Sequence, residues 1–315
     1  MDPICHTLVG TSLSFAGFRR WTPRATALLV LAANAPDIDI VAAVAGRNLE
    51  WRRGMTHGVP ALLVWPFLLA ALAAWWERRQ GGTTRFWQLV VMAAVGVVSH
   101  PFLDYLNNYG LRWLMPIVDR WYYGDTLFIV DPWLYLALGA GTWLSAKRWR
   151  LGRLDAARPA VAALAVAAIY IGAMMAGTQW GRQVAAGALR VQADAPGLMV
   201  APVPVDPLVR SFVLDAGDHY RTGRLNLVTR QLSEGPAVPK GEGLAAALVQ
   251  LRRTREGAAF VHWSRVPALL RDPARGIVRV YDLRYSNGTS PDCSGPRCGP
   301  GWAALDLTEP PSESR

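Results

Sequence analysis

For its first 180 residues the chain alternates long apolar runs with short polar clusters, and then the pattern changes. Apolar stretches run from about 3 to 18, 24 to 45, 59 to 76, 86 to 103, 127 to 146 and 159 to 177. Most have the length of a membrane-spanning helix, which needs about 17 to 25 residues. The first, PICHTLVGTSLSFAGF, is short and rich in small residues, so it either enters the bilayer partly or packs inside a bundle. Past residue 180 no run could span, and short alternating segments such as SFVLDAG, LNLVTRQL and IVRVYDLRYS predict strands. The expected architecture is an α-helical multispanning membrane domain over residues 1–178, with about five to six transmembrane helices. A small soluble β-rich domain follows over 179–305, and a disordered tail over 306–315.

Composition agrees with a membrane protein that carries a soluble part. Of 315 residues 52% are hydrophobic, and 14 are Trp. The net charge of +10 raises the question of nucleic acid, but the basic residues lie between apolar segments or mixed with acids rather than in one stripe, so no nucleic-acid partner is expected. Six spans would gather Arg19, Arg20, Arg24, Arg78, Arg79, Arg85, Lys147, Arg148, Arg150, Arg153 and Arg158 on one side. The other side holds only Arg47, Arg52, Arg53, Arg112 and Arg120. The positive-inside rule places the first group in the cytoplasm, and the amino terminus and the β-rich domain outside it. The first run does not read as a cleaved signal peptide, because its positive residues follow it. Cys293 and Cys298 of CSGPRC have the spacing of a small disulfide loop, favoured in an oxidising compartment; a zinc ligand pair is the competing reading.

On that topology the ionisable residues of the apolar runs converge on one membrane face. His6 opens the first run, Asp37 and Asp39 of NAPDIDI lie late in the second, His57 starts the third, and His100 and Asp104 end the fourth. His100 and Asp104 share a helix face at i, i+4 spacing, which suits a metal as well as a hydrogen-bonded pair. Histidines and carboxylates gathered at one level are what a metal site between helices requires. This donor set suits Zn first, with Mn or Fe as alternatives, and the number of candidate ligands allows one or two ions. Asp39 is a candidate general base, Arg53 a candidate holder of an anionic group, and Asn107 and Asn108 candidate substrate contacts. Asp125 and Asp131 of GDTLFIVDP read either as groups behind the ligands or as helix-start residues.

The order of an early His, DID, RRGMTHG and SHPFLD resembles the YdjM-like family of inner-membrane metal-dependent hydrolases over residues 1 to about 135. Where that family reads His-Arg-Gly-x-Thr-His, this chain has Arg52 in place of the first histidine, while Arg53, Gly54, Thr56 and His57 match. Longer family members also look similar through GDTLFIVDPW, HWSRVP and YDLRYS. The ligand order is similar, more weakly, to that of the zinc-dependent phospholipase C and P1 nuclease superfamily. That similarity implies His6, Asp37 and Asp39, His57, His100 and Asp104 as metal ligands. The expectation is a bacterial inner-membrane hydrolase acting at the periplasmic face on an ester or phosphoester of an amphiphilic or lipid-linked substrate. A metal or proton transporter, or an anchor that displays the soluble domain, is the alternative. Oligomeric state is left open by the sequence.

Overall fold

The computed structural model describes residues 1–44, 48–272, 277–285 and 304–308. Helix α1 (Pro3–Ala16) starts where the Asp2 carboxylate accepts the backbone N–H groups of Ile4 and Cys5 at 2.9 and 3.3 Å. Its 14 residues extend about 21 Å, short of a hydrocarbon core of about 30 Å. The second apolar stretch also fails to form one span. It yields α2 (Ala25–Asn34), then a 3-10 helix Ala35–Ile40, then the short α3 (Val41–Val44) and α4 (Asn48–Trp51). Pro36 has no N–H to continue α2, so the chain tightens there and brings Asp37 and Asp39 to the bundle's end.

The next helices are α5 (Val59–Arg79), α6 (Phe86–Tyr105), α7 (Pro132–Arg150) and α8 (Arg158–Leu189). Among the described residues three helices, α5, α6 and α8, are long and apolar enough to cross a membrane. That is fewer than the five to six expected: α1 and α2 are too short, and α7 ends in Lys147, Arg148 and Arg150. Helix α2 lies between α1 and α6. Gly10 of α1 backs onto the Leu29 carbonyl, and Gly96 of α6 meets Ala32, so both neighbours approach the α2 backbone closely.

At 32 residues α8 is about 48 Å long, more than a hydrocarbon core of about 30 Å needs, and it runs across the boundary expected at residue 178 to pack on the β-sheet-rich part. Arg210 docks there, donating to Thr178 Oγ1 at 3.2 Å and to the Met174 carbonyl at 3.2 Å. A five-stranded antiparallel sheet follows, from β1 (Leu198–Pro202), β2 (Val209–Asp215), β3 (His219–Asn226), β4 (Leu232–Glu234) and β5 (Val238–Pro239). The strands run β1-β2-β3-β4, and β5 also pairs with β3. Two helices, α9 (Leu244–Leu251) and α10 (Arg255–Trp263), lead to a second antiparallel sheet of β6 (Pro267–Asp272), β7 (Ile277–Asp282) and β8 (Ala304–Thr308). Strand β8 takes residues 306–308, assigned above to the tail, into this sheet by pairing with β7. Cys293 and Cys298 lie outside the described residues.

The β-sheet-rich part grips the loop that follows α6. Trp263 Nε1 donates to the Tyr109 carbonyl at 3.0 Å, and Tyr123 Oη to the Trp263 carbonyl at 2.8 Å. Arg265 Nη1 donates to both carboxylate oxygens of Asp125, at 2.8 and 2.9 Å. Arg284 donates to the Asn108 carbonyl at 2.8 Å, and Tyr285 Oη to Asn108 Oδ1 at 3.1 Å.

Candidate metal centre

Four of the expected ligands meet at one end of the bundle. Asp37, His57, His100 and Asp104 each offer a ligand atom, and those atoms lie within 4.8 Å of one another. Three different segments supply them: the 3-10 helix after α2, the loop before α5, and the last turns of α6. His57, His100 and Asp104 are fully buried, and Asp37 is partly accessible.

The hydrogen bonds behind the imidazoles fix what they present. His100 Nδ1 lies 2.6 Å from the Ala33 carbonyl, which can only accept, so the ring donates there through Nδ1 and turns Nε2, the nitrogen that would ligate a metal, toward the group. His57 Nδ1 faces Thr56 Oγ1 at 3.0 Å and Asp39 Oδ2 at 3.4 Å, which directs its proton the same way. The two Nε2 atoms then face each other at 3.1 Å, and each lies 3.4 Å from Asp104 Oδ2. Asp37 Oδ1 stands 3.8 and 3.7 Å from them. Neither Asp37 Oδ1 nor Asp104 Oδ2 has a hydrogen-bond partner. Lone pairs and carboxylate oxygens turned on one another in a buried space repel unless a cation lies between them. The residues present therefore fit a divalent metal ion, and two nitrogens with two oxygens suit Zn, Mn or Fe.

The other candidates surround this group. His6 stacks on His100 with centroids 3.8 Å apart, its Nε2 is 3.4 Å from Asp104 Oδ1, and neither of its ring nitrogens has a hydrogen-bond partner. The Met1 amino group also bonds Asp104 Oδ1. Asp39 lies behind His57 rather than among the four: Oδ1 accepts from Arg52 at 2.8 Å and Oδ2 from the Arg53 backbone N–H at 2.7 Å. Arg53 is buried and turned inward, with a nitrogen 3.0 Å from Asp104 Oδ1 and its guanidinium 4.6 Å above the Tyr109 ring. It also donates to Asn107 Oδ1 at 3.2 Å and to the Gly110 carbonyl at 3.1 Å.

Asn107 Oδ1 further caps the loop by accepting from the Tyr109 N–H at 2.8 Å, and Asn108 is held by Arg284 and Tyr285. Asp125 is paired with Arg265. Asp131 caps α7 through the Trp133 and Leu134 N–H groups at 3.0 and 3.1 Å, and accepts from Tyr170 Oη at 3.0 Å. Sequence reasoning missed Arg52, which sits 3.3 Å from Asp37 and 2.8 Å from Asp39, and also the Ala33 carbonyl that orients His100. The exchanged histidine in RRGMTH is a signal for the first; a backbone carbonyl leaves none.

Apolar spanning helices with a buried His and Asp group at one end define an integral membrane protein with a possible metal-binding centre. Residues 1–181, more than half of the chain, match the family described as YdjM inner membrane protein, and the chain belongs to that family. One relative, the uncharacterized protein YfhP of Bacillus subtilis (strain 168), is 27% identical over 147 residues, which is 44% of this chain and 44% of YfhP. The chain thus spans less than half the length of that curated relative. No solved structure matches it.

Proposed function

We propose that this protein is a metal-dependent hydrolase of the inner membrane, acting at the periplasmic face on an ester or phosphoester of an amphiphilic or lipid-linked substrate. The observation that carries the proposal is the pair of imidazole Nε2 atoms facing each other beside two carboxylate oxygens without hydrogen-bond partners. Asp37, His57, His100 and Asp104 would hold the ion, and His6 adjoins them through Asp104. A divalent ion held there, Zn first, would supply Lewis-acid chemistry, lowering the pKa of water and polarising an ester. Asp39 and Thr56 keep the His57 proton on Nδ1, and the Ala33 carbonyl does so for His100. Arg53 fixes the Asp104 carboxylate, so its role in this reading is to position a ligand rather than to grip substrate. Asp37, the accessible member, marks the side from which substrate and water arrive.

The test is elemental analysis of the detergent-purified protein, followed by assay on phosphodiester, phosphomonoester and carboxylic ester amphiphiles. Wild type is expected to retain transition metal and to cleave a member of the panel. The His57→Ala, His100→Ala double variant is expected to insert in the membrane but lose both. Stoichiometric metal in the double variant sinks the site, and a metal-loaded wild type that cleaves nothing sinks the hydrolase.

A further inference from the structure

Helix α8 starts at Arg158, beside the basic end of α7, and a hydrocarbon core of about 30 Å takes up about 20 residues of helix. It therefore reaches the far edge of the hydrocarbon near Trp180, and Arg210 fixes the β-sheet-rich part at that level through Met174 and Thr178. Two loops lie there. The β1–β2 loop, residues 203–208, is tied down where the Trp133 indole donates to the Val205 carbonyl at 2.7 Å. The β3–β4 turn, residues 227–231, is joined to it by the Leu227 N–H, which donates to the Leu208 carbonyl at 2.9 Å. The turn also lies against Trp180, whose Nε1 is 3.4 Å from the Leu227 carbonyl.

Four large apolar side chains are exposed among the described residues beyond α8, and three of them, Val205, Leu208 and Val228, at 61, 53 and 69% exposure, are on these loops. Single exposures are ordinary, but three on two joined loops make one patch, which the exposed Trp133 and Trp180 continue. The backbone suits a dry layer as the side chains do. Pro202, Pro204 and Pro207 have no N–H, the Asp206 N–H donates to the Pro204 carbonyl at 2.8 Å, and the Leu208 N–H donates to the Asp206 carboxylate at 2.9 Å. In the turn, Asn226 Oδ1 accepts the N–H groups of Val228 and Thr229 at 2.9 and 3.0 Å. Donors closed on the protein itself are what a layer poor in water demands. Val205 also holds φ +69°, in the left-handed region where a valine is strained and a glycine is not. Burying its side chain in lipid offsets that strain, and leaving it in water does not. Arg230, its guanidinium 5.0 Å over the Trp180 ring, adds a cation beside the patch, at the height of lipid phosphates.

We propose that these two loops are a membrane-docking surface: Val205, Leu208 and Val228 enter the interfacial layer of the bilayer that α8 crosses, between the lipid head groups and the first acyl carbons. The β-sheet-rich part then rests on the leaflet at the level of Trp133 and Trp180, the depth at which indoles favour the membrane interface, instead of standing clear in water.

The test uses the full chain in nanodiscs of phosphatidylcholine and phosphatidylglycerol, with the photoreactive p-benzoylphenylalanine in place of Leu208, Val228, Leu136 or Ala216 in turn, irradiated and read by mass spectrometry for lipid adducts. Leu136 is exposed on α7 and should label in any case. Ala216 is exposed at the other end of β2, about 20 Å from the loops, and should not. Positions 208 and 228 are expected to give lipid adducts at least fivefold above position 216. Val228→Asp should cut the adduct at position 208 at least fivefold, and Val228→Leu should leave it. In both variants the adduct at position 136 should persist, which shows that the chain is still inserted. Adducts at 208 and 228 no higher than at 216, or an adduct at 208 that Val228→Asp leaves unchanged, overturn the proposal. Adducts to a second copy of the chain in place of lipid assign the patch to self-association and overturn it as well.

Discussion

Arg52 decides how many cations the centre can hold. Its guanidinium lies 2.8 Å from Asp39, the acid that a second ion would need, and 3.3 Å from Asp37, so a fixed positive charge already stands where that second ion would sit. The protein should therefore bind one equivalent of metal, against the two that the ligand count alone allows. Replacing Arg52 by His removes that charge and adds a donor, so Arg52→His should take up a second equivalent at saturating Zn, read by elemental analysis after dialysis. Two equivalents in wild type would refute this account. Arg53 answers differently, because its planar fork reaches Asp104, Asn107 and Gly110 together. Lysine cannot span those three positions, so Arg53→Lys should weaken metal affinity roughly tenfold or more, the size of effect seen when a group behind a ligand is lost. An Arg53→Lys protein with unchanged affinity but reduced turnover would return Arg53 to the role of substrate anchor.

Helix α2 is the element that sets the metal centre's geometry, although it carries no ligand in its own span. It lies between α1, which bears His6, and α6, which bears His100, and its end supplies the Ala33 carbonyl that His100 meets at 2.6 Å. Gly96 lets α6 approach closely: a Cβ there would overlap Ala32 and press on the Leu29 carbonyl. Gly96→Leu should push α6 from α2, lengthen the His100 to Ala33 contact and lower both metal affinity and thermal stability, the latter by about 1 to 3 kcal/mol as overpacking does. Metal titration and thermal unfolding check it, and a variant that keeps wild-type affinity would show that α2 does not set the site. This dependence explains what could be read from the sequence. The His and Asp positions of the four-residue group were legible because ionisable residues stand out in apolar runs. The break at Pro36 was less so, since APDIDIVAAV continues the hydrophobic run while the missing N–H turns it into a 3-10 helix. Arg53's inward turn was invisible, because its partners Asn107, Tyr109 and Gly110 lie more than fifty residues away.

At the scale of the whole molecule the β-sheet-rich part is placed to clamp the candidate metal centre. Arg284 and Asp282 are fully buried and paired at 2.8 Å; from there Arg284 holds the Asn108 carbonyl, beside Asn107, which holds Arg53, which in turn holds Asp104. Burial alone would push the Asp282 carboxyl up, but the Arg284 guanidinium, Ser264 and the Arg284 backbone N–H hold it below the usual carboxylate range. A carboxylate so depressed contributes stability that is fully present above its unfolded value of about 3.9 and is lost as the pH falls through its folded value. Asp282→Asn should therefore melt below wild type at pH 7, and the gap should close as the pH drops below about 4; a constant gap would show that charge is not the cause. Arg284→Ala leaves a buried carboxylate without its partner, a loss of about 3 to 5 kcal/mol. If the clamp couples to the centre, that variant should also release metal more readily, although the recorded partners of Arg284 are Asp282, the Asn108 carbonyl and the Trp263 carbonyl, none of them a candidate ligand. The periplasmic reading sets the stage for both measurements, and reporter fusions at residues 152 and 315 should report opposite sides of the membrane. Faster metal loss in Arg284→Ala, reversed by Arg284→Lys only in so far as lysine restores the pair with Asp282, would separate clamping from simple unfolding. Unchanged metal release in an Arg284→Ala protein whose soluble part has become protease-sensitive would show that the two halves share a chain but not a function.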